Sequence, residues 1–299
     1  MVSRSERVLL TGSGGFTGRP LAKRLRQDGH DVIGITRTPA ERGEIQGDLR
    51  DMDFVRRAAA DIRPTAVIHL AGIAAPLHDN LGEIYSVNVA GTANLLSALA
   101  ELAERPRRVV VASSATVYAA PKDDSPIAED SALSPQTHYG ASKRAMEDVA
   151  RLFADRLPII VTRPFNYTGP GQEPIFLVPK LVDHFIRRAP RINLGNLDLF
   201  RDFSDIGRVV DVYARMVSQP VDHAVVNICS GRTIHLASMI GLLQEISGHS
   251  IEVATDPALV RPGEPRTICG SAARLQSMFG DLPNPDFGDT LRSMYESRR

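Results

Sequence analysis

Tyr139 and Lys143 stand four residues apart in the segment Tyr139-Gly140-Ala141-Ser142-Lys143. On a helix that spacing brings both side chains to one face. A phenol titrating near pH ~10 is a poor acid or base at neutrality, but a neighbouring ammonium favours its phenolate and lowers that value. The pair could move a proton to or from a carbonyl oxygen while hydride moves at the same carbon. Upstream, an apolar run ends in Ser113-Ser114-Ala115-Thr116-Val117-Tyr118. This places Ser114 at a strand's carboxyl end, where its hydroxyl could hold the same oxygen.

A second constellation lies near the N-terminus. The apolar run 7–12 leads straight into Thr11-Gly12-Ser13-Gly14-Gly15-Phe16-Thr17-Gly18, and a helical pattern follows. In a GxxGxxG loop the first glycine, Gly12, allows a tight turn. Gly15 lets backbone approach a diphosphate, and Gly18 lets helix and strand pack closely. The helix N-terminus then offers N–H groups and a positive dipole end to the phosphates. Thr36 and Arg37 stand at the end of the second strand, where an acidic residue usually binds the adenosine ribose. Without that carboxylate a 2′-phosphate meets no repulsion, and Arg37 could pair with one. NADP(H) is therefore expected over NAD(H), with a plain surface arginine as the alternative. Asp48, followed by Leu49, could meet the adenine edge or could cap a helix.

The elements that must hold these residues alternate along the chain. Strands are expected at 7–12, 31–37, 66–72, 108–114, 158–163 and 224–230, and helices at 20–27, 54–62, 81–103 and 139–156. The strands are nearly continuous apolar runs, as in a parallel sheet covered on both faces. This predicts an α/β, Rossmann-type doubly wound domain over residues 1–163 plus about 206–230. The proline-punctuated remainder, 164–205 and 231–299, is expected to form a smaller substrate-binding lobe.

Composition narrows the partners. The 299 residues are 43% hydrophobic and 23% charged, with 35 Lys plus Arg against 35 Asp plus Glu. The balanced charge gives no global attraction to nucleic acid or a membrane surface. No apolar run reaches transmembrane or signal-peptide length, so a cytoplasmic location is expected. Cys229 and Cys269 are spaced for neither a zinc site nor a disulfide framework, and are expected as buried thiols. No metal is expected.

Together the motifs TGSGGFTG, GDL, HLAG, NVAGTANLL, SSATVY, YGASK and RPFNYTGPGQ resemble the extended short-chain dehydrogenase/reductase family, the nucleotide-sugar epimerase/dehydratase group. They occur in family order over most of the chain. The resemblance implies a catalytic triad of Ser114, Tyr139 and Lys143, with Tyr139 as general acid or base. It implies cofactor contacts from Gly12, Gly15, Phe16, Thr17, Gly18, Arg37, Asp48, Leu49, Leu70, Ala71, Gly72, Tyr139 and Lys143. Asn88 would be a structural support. A homodimer would form through the helix after Gly82 and the Tyr139 helix.

The segments 163–172, 194–198, 201–203, 227–231 and 256–264 resemble the GDP-sugar branch of this group. That likeness implies nucleotide contacts from Asn166, Val178, Leu194, Arg201, Arg261 and Glu264. Arginines are the natural partners of a diphosphate in a chain without net charge, although Arg201 could instead pair with Asp202 or Asp205. Dehydratase relatives carry a carboxylate two residues after the triad Ser/Thr. Here that position is Thr116, which cannot act as the base for 4,6-dehydration. The implied reaction is NAD(P)H-dependent reduction of the C4 ketone of a GDP-4-keto-6-deoxy sugar, as from GDP-4-keto-6-deoxy-D-mannose to GDP-D-rhamnose. A C4 epimerase with tightly held NAD uses the same triad and stays open. So does a non-catalytic NADP sensor, although a sensor has no need of an intact triad.

Overall fold

A computed structural model describes residues 5–38, 40–74, 80–221, 223–260 and 263–298. In chain order its elements are β1 (Arg7–Thr11), α1 (Gly18–Gln27), β2 (Asp31–Thr36), β3 (Glu44–Gln46), α2 (Met52–Ile62), β4 (Ala66–His69), α3 (Leu81–Tyr85), α4 (Gly91–Glu101), β5 (Arg108–Ala112), α5 (His138–Arg151), β6 (Ile159–Pro164), β7 (Asn166–Thr168), α6 (Leu177–Ile186), β8 (Arg191–Leu194), β9 (Phe200–Asp205), α7 (Ile206–Ser218), β10 (Val225–Ile228), β11 (Thr233–His235), α8 (Leu236–Ser247), β12 (Glu252–Thr255), β13 (Thr267–Ile268), α9 (Ala273–Phe279) and α10 (Phe287–Glu296). They cluster into two compact units.

The first unit comprises Met1–Ala119, Ala132–Pro164 and Val209–Val226. Its sheet has the order β10-β6-β5-β4-β1-β2-β3. The pairings from β6 to β3 are all parallel. Alternate strand residues, Leu9, Ile35, Val67, Val109, Val111 and Val161, join α2, α4 and α5 in one core. The residues between them, such as Val8, Leu10, Ile68 and Val110, are equally buried. Both faces are therefore covered, which is why the strands read as continuous apolar runs. This is the doubly wound α/β fold the sequence predicts.

Three details differ from the sequence reading. The expected helix 81–103 is α3 and α4 joined by one π-helical turn, Ser86–Ala90, in which the Gly91 amide reaches back to the Ser86 carbonyl. Such turns interrupt helices at functional positions, and this one holds the buried Asn88. The helix expected to run to 156 ends at Arg151, because the Leu152 and Phe153 amides reach back only three residues, to Val149 and Ala150. The edge strand β3 is three residues long, too short to show a period.

The second unit comprises Ala120–Ser131, Phe165–Arg208 and Asn227–Arg299. Strand β9 lies between β11 and β13 and also pairs with β7, while β8 pairs with β12. Helices α6, α8 and α10 share a core with β8. The segment Ala120–Ser131 belongs here rather than with residues 1–163, because its bonds go to late parts of the chain. Ile127 donates to Cys269 and accepts from Ser271. The Glu129 carboxylate accepts the Asn227 amide at 2.9 Å and pairs with Arg274 at 3.5 Å.

Candidate active site

The glycine loop is positioned by β1 and α1. Gly12 has φ +72, and a Cβ there would lie 2.8 Å from the Ala71 nitrogen. A Cβ on Gly18 would lie 2.1 Å from the Gly12 carbonyl. Both positions therefore exclude a side chain, one by conformation and both by contact. Gly15 differs: it is exposed, and a Cβ there would meet nothing but the Gly12 carbonyl, at 3.2 Å. Its outer side is open to an approaching ligand. No acidic residue stands in the first turn of α1, so its positive end is left for an external anion. These features fit the diphosphate of a dinucleotide. Phe16 and the N-cap residue Thr17 complete the loop.

Around the end of β2 the structure adds what the sequence hid. The Arg37 guanidinium pairs with Glu83 at 3.2 Å and is half exposed. The Thr36 and Thr38 hydroxyls are 2.8 Å apart, facing Gly14. Ser13 of the glycine loop donates to Glu44 at 2.6 Å. Burial works against the Glu44 charge, but the Ser13 hydroxyl and Glu41 amide, with Arg26 and Arg19, hold its carboxyl below the usual range. A carboxylate thus stands beside the loop after all, supplied by β3, and no local pattern announces it. Asp48 is not a helix cap: Asp51 caps α2 by accepting the Phe54 amide. Asp48 instead chelates Arg50, which lowers its carboxyl pKa. Leu49 is buried, with its carbonyl held by Asn94 at 2.9 Å.

The residues expected to transfer the proton lie just after β5 and on α5. Ser114 follows β5, and its Oγ accepts the Thr116 amide at 3.2 Å and the Thr116 hydroxyl at 2.9 Å. Thr116 thus orients the Ser114 hydroxyl. Thr137 caps α5 by accepting the Gly140 amide at 3.0 Å. A Cβ on Gly140 would lie 2.6 Å from the Thr116 carbonyl, so glycine lets α5 press against the turn after Ser114. Tyr139 is half-buried at the first turn of α5, and Lys143 is buried one turn on. The Lys143 ammonium donates to the Ala112 carbonyl at 2.8 Å. Burial lowers its pKa to about 8, with the Glu147 carboxylate opposing that shift. A Cβ on Gly72 would sit 3.2 Å from the Lys143 Nζ and 3.0 Å from the Asn88 Oδ1. The segment Leu70, Ala71 and Gly72 therefore passes Lys143 closely at Gly72.

Sequence reasoning missed the next layer. Arg163 holds Glu147 through two bonds of 2.9 and 2.7 Å and donates to the Tyr118 hydroxyl at 3.1 Å, all buried. Glu147 follows Lys143 by one further turn, and only the tertiary partner reveals its role.

The predicted nucleotide contacts lie in the second unit. Arg201 pairs with Glu264 at 2.8 Å, not with Asp202 or Asp205. Asp202 is occupied by the amides of Ser230, Gly231 and Gly270, and Asp205 by Gly207 and Thr290. Two residues on the predicted list are thus brought together. Asn166 is exposed on β7 and donates to the Asp202 carbonyl at 3.1 Å. Val178 and Leu194 are buried in the core of their unit, which leaves their backbone for any ligand. Arg261 lies outside the described residues. Cys229 and Cys269 are buried free thiols, and burial pushes both pKa values up, Cys269 to about 11. Among the described residues no His, Cys, Asp and Glu cluster could hold a metal ion. No helix there is long and apolar enough to cross a membrane.

Residues 8–229 match the NAD dependent epimerase/dehydratase family. The chain belongs to this family. A nicotinamide dinucleotide is accordingly its cofactor, in keeping with the open glycine loop. The chain is 31% identical over 294 residues to GDP-6-deoxy-D-talose 4-dehydrogenase from Aggregatibacter actinomycetemcomitans, covering 98% of both chains. It is 31% identical over 308 residues to GDP-6-deoxy-D-mannose reductase from Pseudomonas aeruginosa, again covering 98% of both. Among solved structures, a protein from Burkholderia cenocepacia J2315, provisionally described as an epimerase, superposes with TM-score 0.91 at 41% identity over 99% of this chain and 98% of that one. RMD from Pseudomonas aeruginosa, solved with NADPH, gives TM-score 0.85 at 29% identity over 98% of each chain.

Proposed function

We propose that this family member reduces the C4 ketone of a GDP-4-keto-6-deoxy sugar with NADPH. The observation that carries this reading is the near full-length likeness to two enzymes of GDP-6-deoxyhexoses, one a 4-dehydrogenase and one a reductase. The dinucleotide, when bound, supplies the hydride. Ser114 hydrogen-bonds the ketone oxygen. Tyr139 gives its phenolic proton to that oxygen as the C=O becomes CH–OH. The Lys143 ammonium lowers the cost of the phenolate left behind and binds the nicotinamide ribose. Thr116 has no carboxylate and bonds Ser114 instead, which speaks against 4,6-dehydration. Arg201 and Glu264, with Asn166 and Arg261, take the nucleotide, and backbone at Val178 and Leu194 adds to that contact. Arg37 takes the 2′-phosphate by exchanging its exposed pairing with Glu83, which is worth little in water. The working form is a homodimer in the cytoplasm.

A C4 epimerase with retained NAD is the second reading, favoured by the likeness to the Burkholderia protein. One assay separates the two. With GDP-4-keto-6-deoxymannose and NADPH, a reductase consumes nicotinamide absorbance in proportion to one sugar product. Redistribution between sugar epimers with no net oxidation would replace the reductase by the epimerase. Dinucleotide binding with no turnover of either kind would leave a non-catalytic sensor. Identifying the product also distinguishes rhamnose from 6-deoxytalose.

A further inference from the structure

Behind the dinucleotide loop, five buried polar side chains of the first unit form one continuous chain of hydrogen bonds. Thr11 at the end of β1, His69 at the end of β4, and Thr92, Asn88 and Ser142 are all essentially inaccessible. The Ala71 amide donates to the Thr11 Oγ1 at 3.2 Å. The Thr11 Oγ1 is 2.6 Å from the His69 Nδ1, and the His69 Nε2 is 2.8 Å from the Thr92 Oγ1. The Thr92 hydroxyl donates to the Asn88 carbonyl at 2.7 Å. The Asn88 side chain receives the Ile73 amide at 2.8 Å and donates to the Ile73 carbonyl at 3.2 Å and to the Ser142 Oγ at 3.0 Å. Ser142, beside Lys143, donates to the Tyr139 carbonyl at 2.7 Å.

The direction of every link is forced. A carbonyl only accepts, so the Thr92 proton is committed to Asn88 and the Thr92 oxygen must accept from the His69 Nε2–H. Burial, with the nearby Lys143 charge, lowers the His69 pKa to about 3 and keeps the ring neutral. Its Nδ1 is then unprotonated and accepts the Thr11 proton. The Thr11 oxygen in turn accepts the Ala71 amide. One tautomer and one polarity satisfy the whole run, and a flipped ring or the other tautomer breaks two bonds at once.

The geometry points to His69 as a positioning residue: it locks the strand-end backbone at Thr11–Ala71, which borders the dinucleotide loop, to the α5 turn that carries Tyr139 and Lys143. A hydride donor and a proton donor held by different elements need a fixed spacing, and displacements of about 1 Å cost up to about 100-fold in rate. The kinetic part of this inference rests on the proposed reductase reading. The structural part does not.

The test has two arms. In protein labelled with 15N-histidine, His69 should show a single neutral Nε2–H tautomer at pH 7. An Nδ1–H form or a tautomer mixture would overturn the inference. In kinetics, His69→Leu keeps the volume and burial but removes both links. It should lower kcat about 10- to 100-fold and weaken NADPH binding about tenfold, with little change in KM for the sugar. His69→Gln, whose amide can still donate to Thr92, should recover most of the loss. A folded His69→Leu protein with wild-type kcat and NADPH affinity overturns the assignment. Should that variant not fold, Thr92→Val removes the hydroxyl that accepts from His69 and donates to the Asn88 carbonyl; it must lower kcat in the same direction, and unchanged kcat again overturns the assignment. If the wild-type protein fails to turn over the proposed sugar, the tautomer and the NADPH affinity still decide the point.

Discussion

The Lys143 ammonium donates to the carbonyl of Ala112, the last residue of β5, at 2.8 Å. This bond ties the face of α5 that carries Tyr139 to the strand end that leads into Ser114. Burial of the same ammonium sets a pH dependence, because it lowers the lysine pKa from 10.5 to about 8. Above about pH 8 Lys143 loses its charge and with it the support for a Tyr139 phenolate. The value of kcat/KM should therefore fall as pH rises through about 8. Glu147→Gln removes the carboxylate that favours the ammonium, so this limb should move to lower pH. A pH–rate profile of both proteins checks the direction.

The same group makes a stability prediction of opposite appearance. Between pH about 8 and 10.5 the unfolded chain holds more protons at Lys143 than the folded one, so this site adds to stability as pH rises through that window. Lys143→Met should flatten that part of the Tm-against-pH curve. A variant whose curve keeps the wild-type slope there would contradict the buried-lysine account.

Tyr139→Phe deletes the one oxygen assigned to proton transfer. It should lower kcat by about 10²- to 10⁴-fold, far more than it weakens dinucleotide binding in a titration. Full activity in this variant would remove Tyr139 from the mechanism.

The glycine loop predicts a graded response to alanine. Gly12→Ala and Gly18→Ala each force a Cβ into backbone, at 2.8 and 2.1 Å respectively. Both should lose dinucleotide affinity and Tm. Gly15→Ala meets only the Gly12 carbonyl at 3.2 Å, so it should cost affinity through its outer face with a smaller drop in Tm. Calorimetry beside fluorescence titration separates the two effects.

In the proposed reading Arg37 carries a preference for NADPH. Arg37→Ala should raise KM for NADPH about tenfold, the worth of one charged hydrogen bond, and leave KM for NADH nearly unchanged. Glu83→Gln releases Arg37 from its 3.2 Å ion pair and should lower KM for NADPH. Equal effects on both dinucleotides would assign Arg37 a structural task instead.

What the sequence determined by itself is what short range determines. The four-residue step from Tyr139 to Lys143 is a property of any helix. A glycine loop between an apolar run and a helix is equally local. Unbroken apolar strands such as 108–112 already announce a sheet covered on both faces. The family resemblance added the order of the motifs to that picture. Tertiary structure decided the partners that close over long stretches of chain. Glu44 reaches Ser13 only because β3 lies beside β2. Arg201 turns to Glu264 because Asp202 and Asp205 are consumed by backbone amides, a matter of which loops surround β9. Asp48 yielded the α2 cap to Asp51, three residues on, through loop geometry that spacing cannot convey. The Thr11–His69–Thr92 chain exists because β1 and β4 are neighbours with Thr11 opposite His69. Strand order and register are set by the burial of whole faces rather than by any local pattern, so the residues they bring together stay invisible until the sheet is assembled.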